Sequence, residues 1–289
     1  MYTSCSFVAE AQKVTRKPSV NSDCILSQVL YTKDDSLKVV SMLRSDVSEQ
    51  NDVLFYAYKF IDIPYVAQTL EKADPEKLVV NLRQLDCTTL VETVLALTMT
   101  KRQKSDKFTD YCQNLMNIRY RDGIMDGYLS RLHYFSWWME DNMRRKNVFE
   151  IHHSCFFTHE KSISNNYMSN HPSSYPFLKD NKVRIDSIAS IEKAHNGKVW
   201  RYVPASILDT PATQMDSVIR SGDILALVTN RQGLDFSHLG FAIWGKDKRL
   251  HLLNASSIHH KVVAEKKTLR QYMRECTSCL GITVLRLSK

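Results

Sequence analysis

The sequence predicts an α+β fold in which a helical N-terminal part packs on an antiparallel sheet built by the C-terminal part. Three observations carry this expectation. The segment TTLVETVLALTMT at 88–100 is apolar around most of a helix's circumference, the mark of a buried helix. After residue 150 helical periodicity gives way to short β-rich runs, and helices followed by strands is the order of an α+β domain. With 289 residues, 43% hydrophobic and 24% charged, the chain has an ordinary globular composition and enough length to build its own core.

The first 50 residues are polar and poorly periodic, and they read as an N-terminal extension. A single domain is expected over 51–289, with a helical insertion at about 105–150 and a loop-rich insertion at about 151–185. A helix is expected over 51–70, where Leu54, Tyr58 and Ile61 recur at near-helical spacing. A second, at 106–119, carries Phe108, Cys112, Leu115 and Ile118 on one stripe, and a third, at 129–145, carries Leu132, Phe135, Met139 and Met143. Residues 154–180, rich in Ser, Asn and Pro, read as irregular loop. The runs KVWRYV, DILALV, HLGFAIW, LHLLNA, KVVA and GITVLRL then supply the strands.

The balance of 39 basic to 31 acidic residues, a net charge of +8, favours anionic partners such as nucleic acid, anionic lipid or carboxylate-rich small substrates. The basic residues are scattered in short clusters, Arg144-Arg145-Lys146 among them, so no nucleic-acid arm is expected. No run approaches the roughly 18–20 apolar residues that span a bilayer. The opening MYTSCSFVAEAQKVTRKPSV lacks the apolar stretch of a signal peptide, which suggests either a cytosolic protein or a sequence that starts after a removed leader.

Seven cysteines at irregular spacings do not form a disulfide framework. Cys276 and Cys279 sit as CTSC, without the second ligand pair that zinc needs, and His152, His153 and His159 lack a matching carboxylate or cysteine pattern. No metal and no cofactor is therefore expected. Asp223, in SGDILAL, reads as a turn residue before a strand.

Cys87 is the candidate nucleophile. It follows Asp86, a helix N-cap residue, and opens the buried helix, where the positive end of the macrodipole favours thiolate. A buried structural cysteine is the competing reading. The base is expected from SHLGFAIW, where Leu239, Phe241 and Ile243 face one way while His238, Gly240 and Ala242 face the other. The small residues beside His238 are read as leaving room for a cleft. If the GKDK turn centres on Asp247, Ile243 faces His251 and Gly240 faces Asn254, which puts Asn254 on the face of His238 and His251 on the opposite one. A slip of one residue would exchange the two. Asn254 would then hold the imidazole in its productive tautomer.

LDCTTLVE, GDILAL, SHLGFA and LLNASS together resemble the NlpC-type cysteine amidases and peptidases of bacterial cell walls. PYVAQTLE and YRDGIMDGYLSRLHYFSWWMEDN narrow the resemblance to the N-acetylmuramoyl-L-alanine amidase-like family, over roughly residues 50–289. The resemblance implies a papain-like fold and cleavage of the amide between the lactyl group of N-acetylmuramic acid and L-alanine, in peptidoglycan fragments that include anhydromuropeptides. It implies Cys87 as nucleophile, His238 as base and Asn254 as third residue, a departure from the many members with His at that position. It implies that Tyr65 borders the site. Ser130, Arg131 and His133 are expected to line the cleft, with Arg131 clamping a peptide carboxylate. Muropeptides would be the partners, in the periplasm or cell envelope after leader removal, with the cytoplasm the alternative. A stem-peptide endopeptidase and a non-catalytic module that binds wall fragments are the competing functions.

Overall fold

The computed structural model describes residues 25–47, 51–152, 155–208 and 212–289. The chain begins with a short strand β1 (Val29–Leu30) and helix α1 (Lys33–Arg44), which Thr32 and Asp35 start with a capping box. Helix α2 (Asp52–Tyr58) is followed by strand β2 (Leu78–Val79), which pairs in parallel with β1. Helix α3 (Cys87–Arg102) then enters the core, flanked by α4 (Phe108–Arg119) and α5 (Phe135–Arg144). Val39, Met42 and Leu43 of α1 are buried in the same core. The described part of the supposed N-terminal extension is thus integral to the domain, while residues 1–24 lie outside the described residues.

Strands β3 (Val148–Ile151) and β4 (His159–Ser162), helices α6 (Tyr167–Asn170) and α7 (Lys182–His195), and strand β5 (Val199–Pro204) come next. Helix α8 (Ala212–Met215) leads to β6 (Ile224–Thr229), β7 (Phe236–Trp244), β8 (Leu250–Ser256) and β9 (Lys261–Ala264). Helix α9 (Leu269–Glu275) and β10 (Cys279–Leu287) close the chain. The sheet runs β4-β5-β10-β6-β7-β8-β9, every pair antiparallel, and β3 continues the β5 edge of β10. The α+β expectation therefore holds.

The central strands of the sheet, β6, β7, β8 and β10, are buried on both faces. Leu239 and Phe241 pack with Leu90 and Val94 of α3, whereas Ala242 and Leu252 pack with Leu269 and Met273 of α9. This is the alternation read from SHLGFAIW. Hydrophobic burial at about 25 cal/mol per Å² makes α3, with Leu90, Val94, Leu95 and Leu97 inaccessible, the element that most strongly fixes where Cys87 sits.

Two expected boundaries shift. The helix expected over 51–70 ends at Tyr58, because the chain turns through Asp62 at φ 68° and Pro64 bridges to Lys261. Its buried residues are Val53, Leu54, Tyr56 and Ala57, so Leu54 lies in the core as expected, whereas Tyr58 faces solvent. The helix expected from 129 begins at Phe135, because Arg131 bridges Tyr120 and the Leu132 N–H donates to the Arg119 carbonyl, which holds that stretch extended. Helix α7 was not anticipated. Asn181 caps it, but its buried positions are Ile188 and Glu192 only, a thin apolar signal. Cys276 and Cys279, read from the sequence only as a pair too few for zinc, form a local disulfide. Among the described residues no helix is long and apolar enough to cross a membrane, and no group of histidine, cysteine and carboxylate side chains could hold a metal. His153 lies outside them.

Candidate active site

Cys87 occupies the first position of α3. Asp86 caps the helix, its carboxylate accepting from the Thr89 N–H at 2.8 Å while the Thr89 hydroxyl oxygen accepts from the Asp86 N–H at 2.8 Å. The Leu239 and Thr88 backbone N–H groups and the Thr88 hydroxyl lie close enough to the thiol to favour its ionised form. Burial, reinforced by the Asp86 carboxylate, nevertheless pushes its pKa up to about 12. This corrects the thiolate expectation. The cap's negative charge offsets the positive end of the helix, and desolvation outweighs what remains. The resting thiol is protonated.

His238 projects from β7 on the side opposite Leu239, and its ring stacks on Tyr272 of α9 with centroids 6.3 Å apart. Burial lowers its pKa, against the opposing effects of the Asn254 contact and of the carboxylates of Glu265 and Asp86. His238 Nε2 lies 2.9 Å from Asn254 Oδ1. The register that brings them together is the one centred on Asp247: Phe241 pairs with Leu253 and Ile243 with His251. His251 turns away, its Nε2 3.1 Å from Asp247 Oδ2 and its Nδ1 2.9 Å from the Lys267 carbonyl oxygen. Gly240 serves this pairing rather than a cleft. A Cβ there would lie 2.5 Å from the Leu253 carbonyl oxygen, and Ala242 is fully buried, so the room attributed to these small residues is filled by β8.

An open cavity of about 210 Å³ joins Cys87 and His238, with Phe135, Tyr175, Phe236 and His133 among its walls. A second, of about 320 Å³, reaches His238 from the other side, past Tyr272, Arg231 and the Cys276–Cys279 disulfide. The two cavities have Ser237 and His238 in common.

The other expected residues divide. Tyr65 bridges to Leu85 just ahead of the cap, and burial together with Cys87 and Asp86 pushes its phenol up to about 12, so it adjoins Cys87. His133 lines the first cavity, lies tilted against Tyr128 with ring centroids 4.4 Å apart and contacts the Tyr128 carbonyl oxygen at 2.9 Å, while burial and Arg131 hold its pKa well below the ordinary histidine value. Ser130 is a turn residue instead, its Oγ donating to the Gly127 carbonyl at 2.7 Å and accepting from the Asp126 N–H at 2.9 Å. Arg131 is not a carboxylate clamp. Its side chain is 6% exposed and is already paired with Glu71 at 2.8 Å and Glu76 at 3.3 Å. A guanidinium so engaged has no free face for a substrate.

Two residues near the site were not singled out from the sequence. Asp235, buried at the cavity, accepts from the Ser136 N–H at 2.8 Å and the Asn165 amide at 3.2 Å, docking the helical insertion onto the start of β7. Glu265 lies behind Asn254 and accepts from its Nδ2 at 3.2 Å. Each is an ordinary acidic residue beside a strand, and only the three-dimensional pairing distinguishes it. Asp223 is the turn residue expected, its carboxylate accepting from the Arg220 N–H at 2.7 Å and pairing with Arg286 at 2.6 Å.

The family model described as N-acetylmuramoyl-L-alanine amidase-like matches residues 56–282. Among solved structures, an N-acetylmuramoyl-L-alanine amidase from Bacteroides uniformis is 39% identical with a TM-score of 0.76, covering 82% of this chain and 98% of its own. A protein from Bacteroides fragilis described as a putative xylanase is 42% identical with a TM-score of 0.75, covering 81% and 100%. A Legionella pneumophila protein, 21% identical with a TM-score of 0.68 and covering 93% and 97%, shares the fold. No curated protein matches. A family model matched over most of the chain, with identities near 40% across almost the whole of the relatives, establishes that this chain belongs to the N-acetylmuramoyl-L-alanine amidase-like family.

Proposed function

We propose that the chain hydrolyses the amide between the lactyl group of N-acetylmuramic acid and L-alanine in peptidoglycan fragments, anhydromuropeptides included, with Cys87 as nucleophile in an NlpC-type, papain-like arrangement. The observation that carries this reading is the cavity that Cys87 and His238 share, with His238 Nε2 2.9 Å from Asn254 Oδ1, in a member of the amidase-like family. An amide oxygen only accepts, so the imidazole proton sits on Nε2 and the Nδ1 lone pair is left for the thiol proton.

The chemistry then follows from a neutral pair. The thiol is held up by burial and the imidazole is kept neutral, so the proton passes from Sγ to His238 as sulfur attacks the lactyl carbonyl, not before. Backbone N–H groups in the first turn of α3 have no partner within the helix and suit the developing oxyanion. The imidazolium returns its proton to the alanine nitrogen as the C–N bond breaks, leaving a thioester on Cys87. Water, deprotonated by His238, hydrolyses the thioester and frees the sugar acid. Such substrates place the protein in the cell envelope or periplasm.

Mass spectrometry of digested muropeptides tests the reading. Free sugar together with an intact stem peptide is the expected result. Truncated stems still joined to the sugar would instead show an endopeptidase, and tight binding without turnover a recognition module.

A further inference from the structure

Glu265 has no part in the steps above, yet it is placed unlike a surface glutamate. It follows β9, its residue is 8% exposed, and its backbone N–H donates to the Leu252 carbonyl at 2.8 Å, clamping it against β8. Oε1 accepts from Asn254 Nδ2 at 3.2 Å, and Oε2 lies 3.3 Å from His259 Nε2. Its ion pair among the described residues is with His259, whose side chain is 50% exposed. A buried carboxylate paired only with a half-exposed histidine among the described residues is costly to keep.

We propose that Glu265 is the positioning residue that sets the proton on His238, by fixing which way the Asn254 amide points and by supplying the negative charge that asparagine lacks. A carboxylate only accepts, so Asn254 must turn its NH₂ toward Glu265 and its oxygen toward His238. That oxygen in turn selects the Nε2–H tautomer. One carboxylate thereby determines the proton's position two side chains away. Glu265 also stabilises the imidazolium formed when the thiol is deprotonated, acting on His238 through space. The other titratable or charged groups around His238 are Cys87 of α3 and Asp86 that caps it, Tyr272 and Glu275 from α9, Arg231 and Asp235 ahead of β7, and His133 across the first cavity. Of these only Asp86 is a carboxylate that also favours the protonated ring, and it is already committed to capping α3.

This inference rests on the mechanism proposed above, so the test includes a readout that needs no substrate. Long-range ¹H–¹⁵N spectra of the His238 ring would be recorded for the wild type, E265Q and E265D, beside pH profiles of muropeptide hydrolysis. The wild type should show one tautomer, protonated at Nε2. E265Q, whose amide can donate as well as accept, should show mixed tautomers and a kcat about tenfold lower, with the acid limb of the profile moved to lower pH by roughly half a unit. E265D should retain the wild-type tautomer and acid limb. Tautomer and acid limb unchanged in E265Q would overturn the proposal, even with a lower kcat, because a merely structural glutamate predicts that result. So would an E265D protein that behaves like E265Q, and this arm decides if E265Q fails to fold. The expected spectra in a protein that leaves every muropeptide intact would uphold the role of Glu265 and overturn the reaction instead.

Discussion

Two buried polar networks lie on either side of the start of α3, and they are built on opposite principles. Behind the first cavity, Arg131 pairs with Glu71 and Glu76, the Tyr120 hydroxyl donates to Glu76 at 2.9 Å, and Arg119 pairs with Glu92 at 2.7 Å. There the buried carboxylates meet guanidinium groups that hold their charge at any ordinary pH. In front, Cys87, His238, Asn254 and Glu265 form a string without arginine or lysine, open to a cavity at the thiol end. The contrast separates structure from chemistry. A network closed by permanent charges fixes a shape, whereas one that is uncharged along most of its length can pass a proton.

The largest expected effect breaks the front network at its open end. Cys87→Ala should lower turnover by on the order of 10⁴-fold or more and leave the circular dichroism spectrum unchanged, since the lost sulfur bears no core packing comparable to Leu90 or Val94. Residual activity above a few per cent would refute the covalent route. The wild-type thiol offers a companion measurement. Because its pKa lies near 12, thiolate becomes more abundant as pH rises, so alkylation of Cys87 by iodoacetamide should keep accelerating beyond pH 9. The exposed Cys155 serves as the internal comparison. A plateau below pH 8 would mean that a thiolate–imidazolium pair exists at rest.

Arg131→Met breaks the rear network. Removing one partner leaves Glu71 and Glu76 buried without their cation, at a cost of about 3–5 kcal/mol of stability. Urea denaturation should show that loss, while the folded fraction keeps a KM close to that of the wild type. A raised KM with unchanged stability would restore the clamp read from the sequence.

These two networks also mark how far the sequence could be read. The strand alternation around His238 and the hairpin centred on Asp247 were legible because both follow from a period of two and one polar turn. Helix α3 was legible from its all-round apolar surface. The stretch around Arg131 misled for a physical reason: a polar residue among aromatics reads alike whether it faces a cleft or a buried carboxylate, and Glu71 and Glu76 lie more than fifty residues upstream. Glu265 was invisible for the same reason, since its significance comes from the strand pairing that carries Asn254 to it. The protonation state of Cys87 was misread because helix position is written in the sequence and desolvation is not.

Asn254→Ala tests the middle of the front string. With no acceptor at Nε2 the imidazole loses its preferred tautomer, and kcat should fall by about 10²-fold while Cys87 remains open to alkylation. His251→Ala should leave kcat near the wild-type value and lower the melting temperature, because His251 holds Asp247 and two backbone carbonyls rather than His238. Equal losses of kcat in the two variants would dissolve the distinction between them.

The smallest effect is expected from a feature that touches the front network without belonging to it. The Cys276–Cys279 disulfide walls the second cavity beside His238, and Cys279 Sγ lies 3.7 Å from the Ser237 hydroxyl. It closes a loop between residues only 3 apart in sequence, so the chain-entropy argument allows it at most about 2 kcal/mol. Neither sulfur bonds to His238, Asn254 or Glu265, so replacing both cysteines by serine should lower the melting temperature by a few degrees and leave kcat/KM within about twofold. A tenfold loss of kcat/KM at unchanged stability would mean that the second cavity holds part of the substrate against this turn, and that the working site extends past His238 on the side of α9.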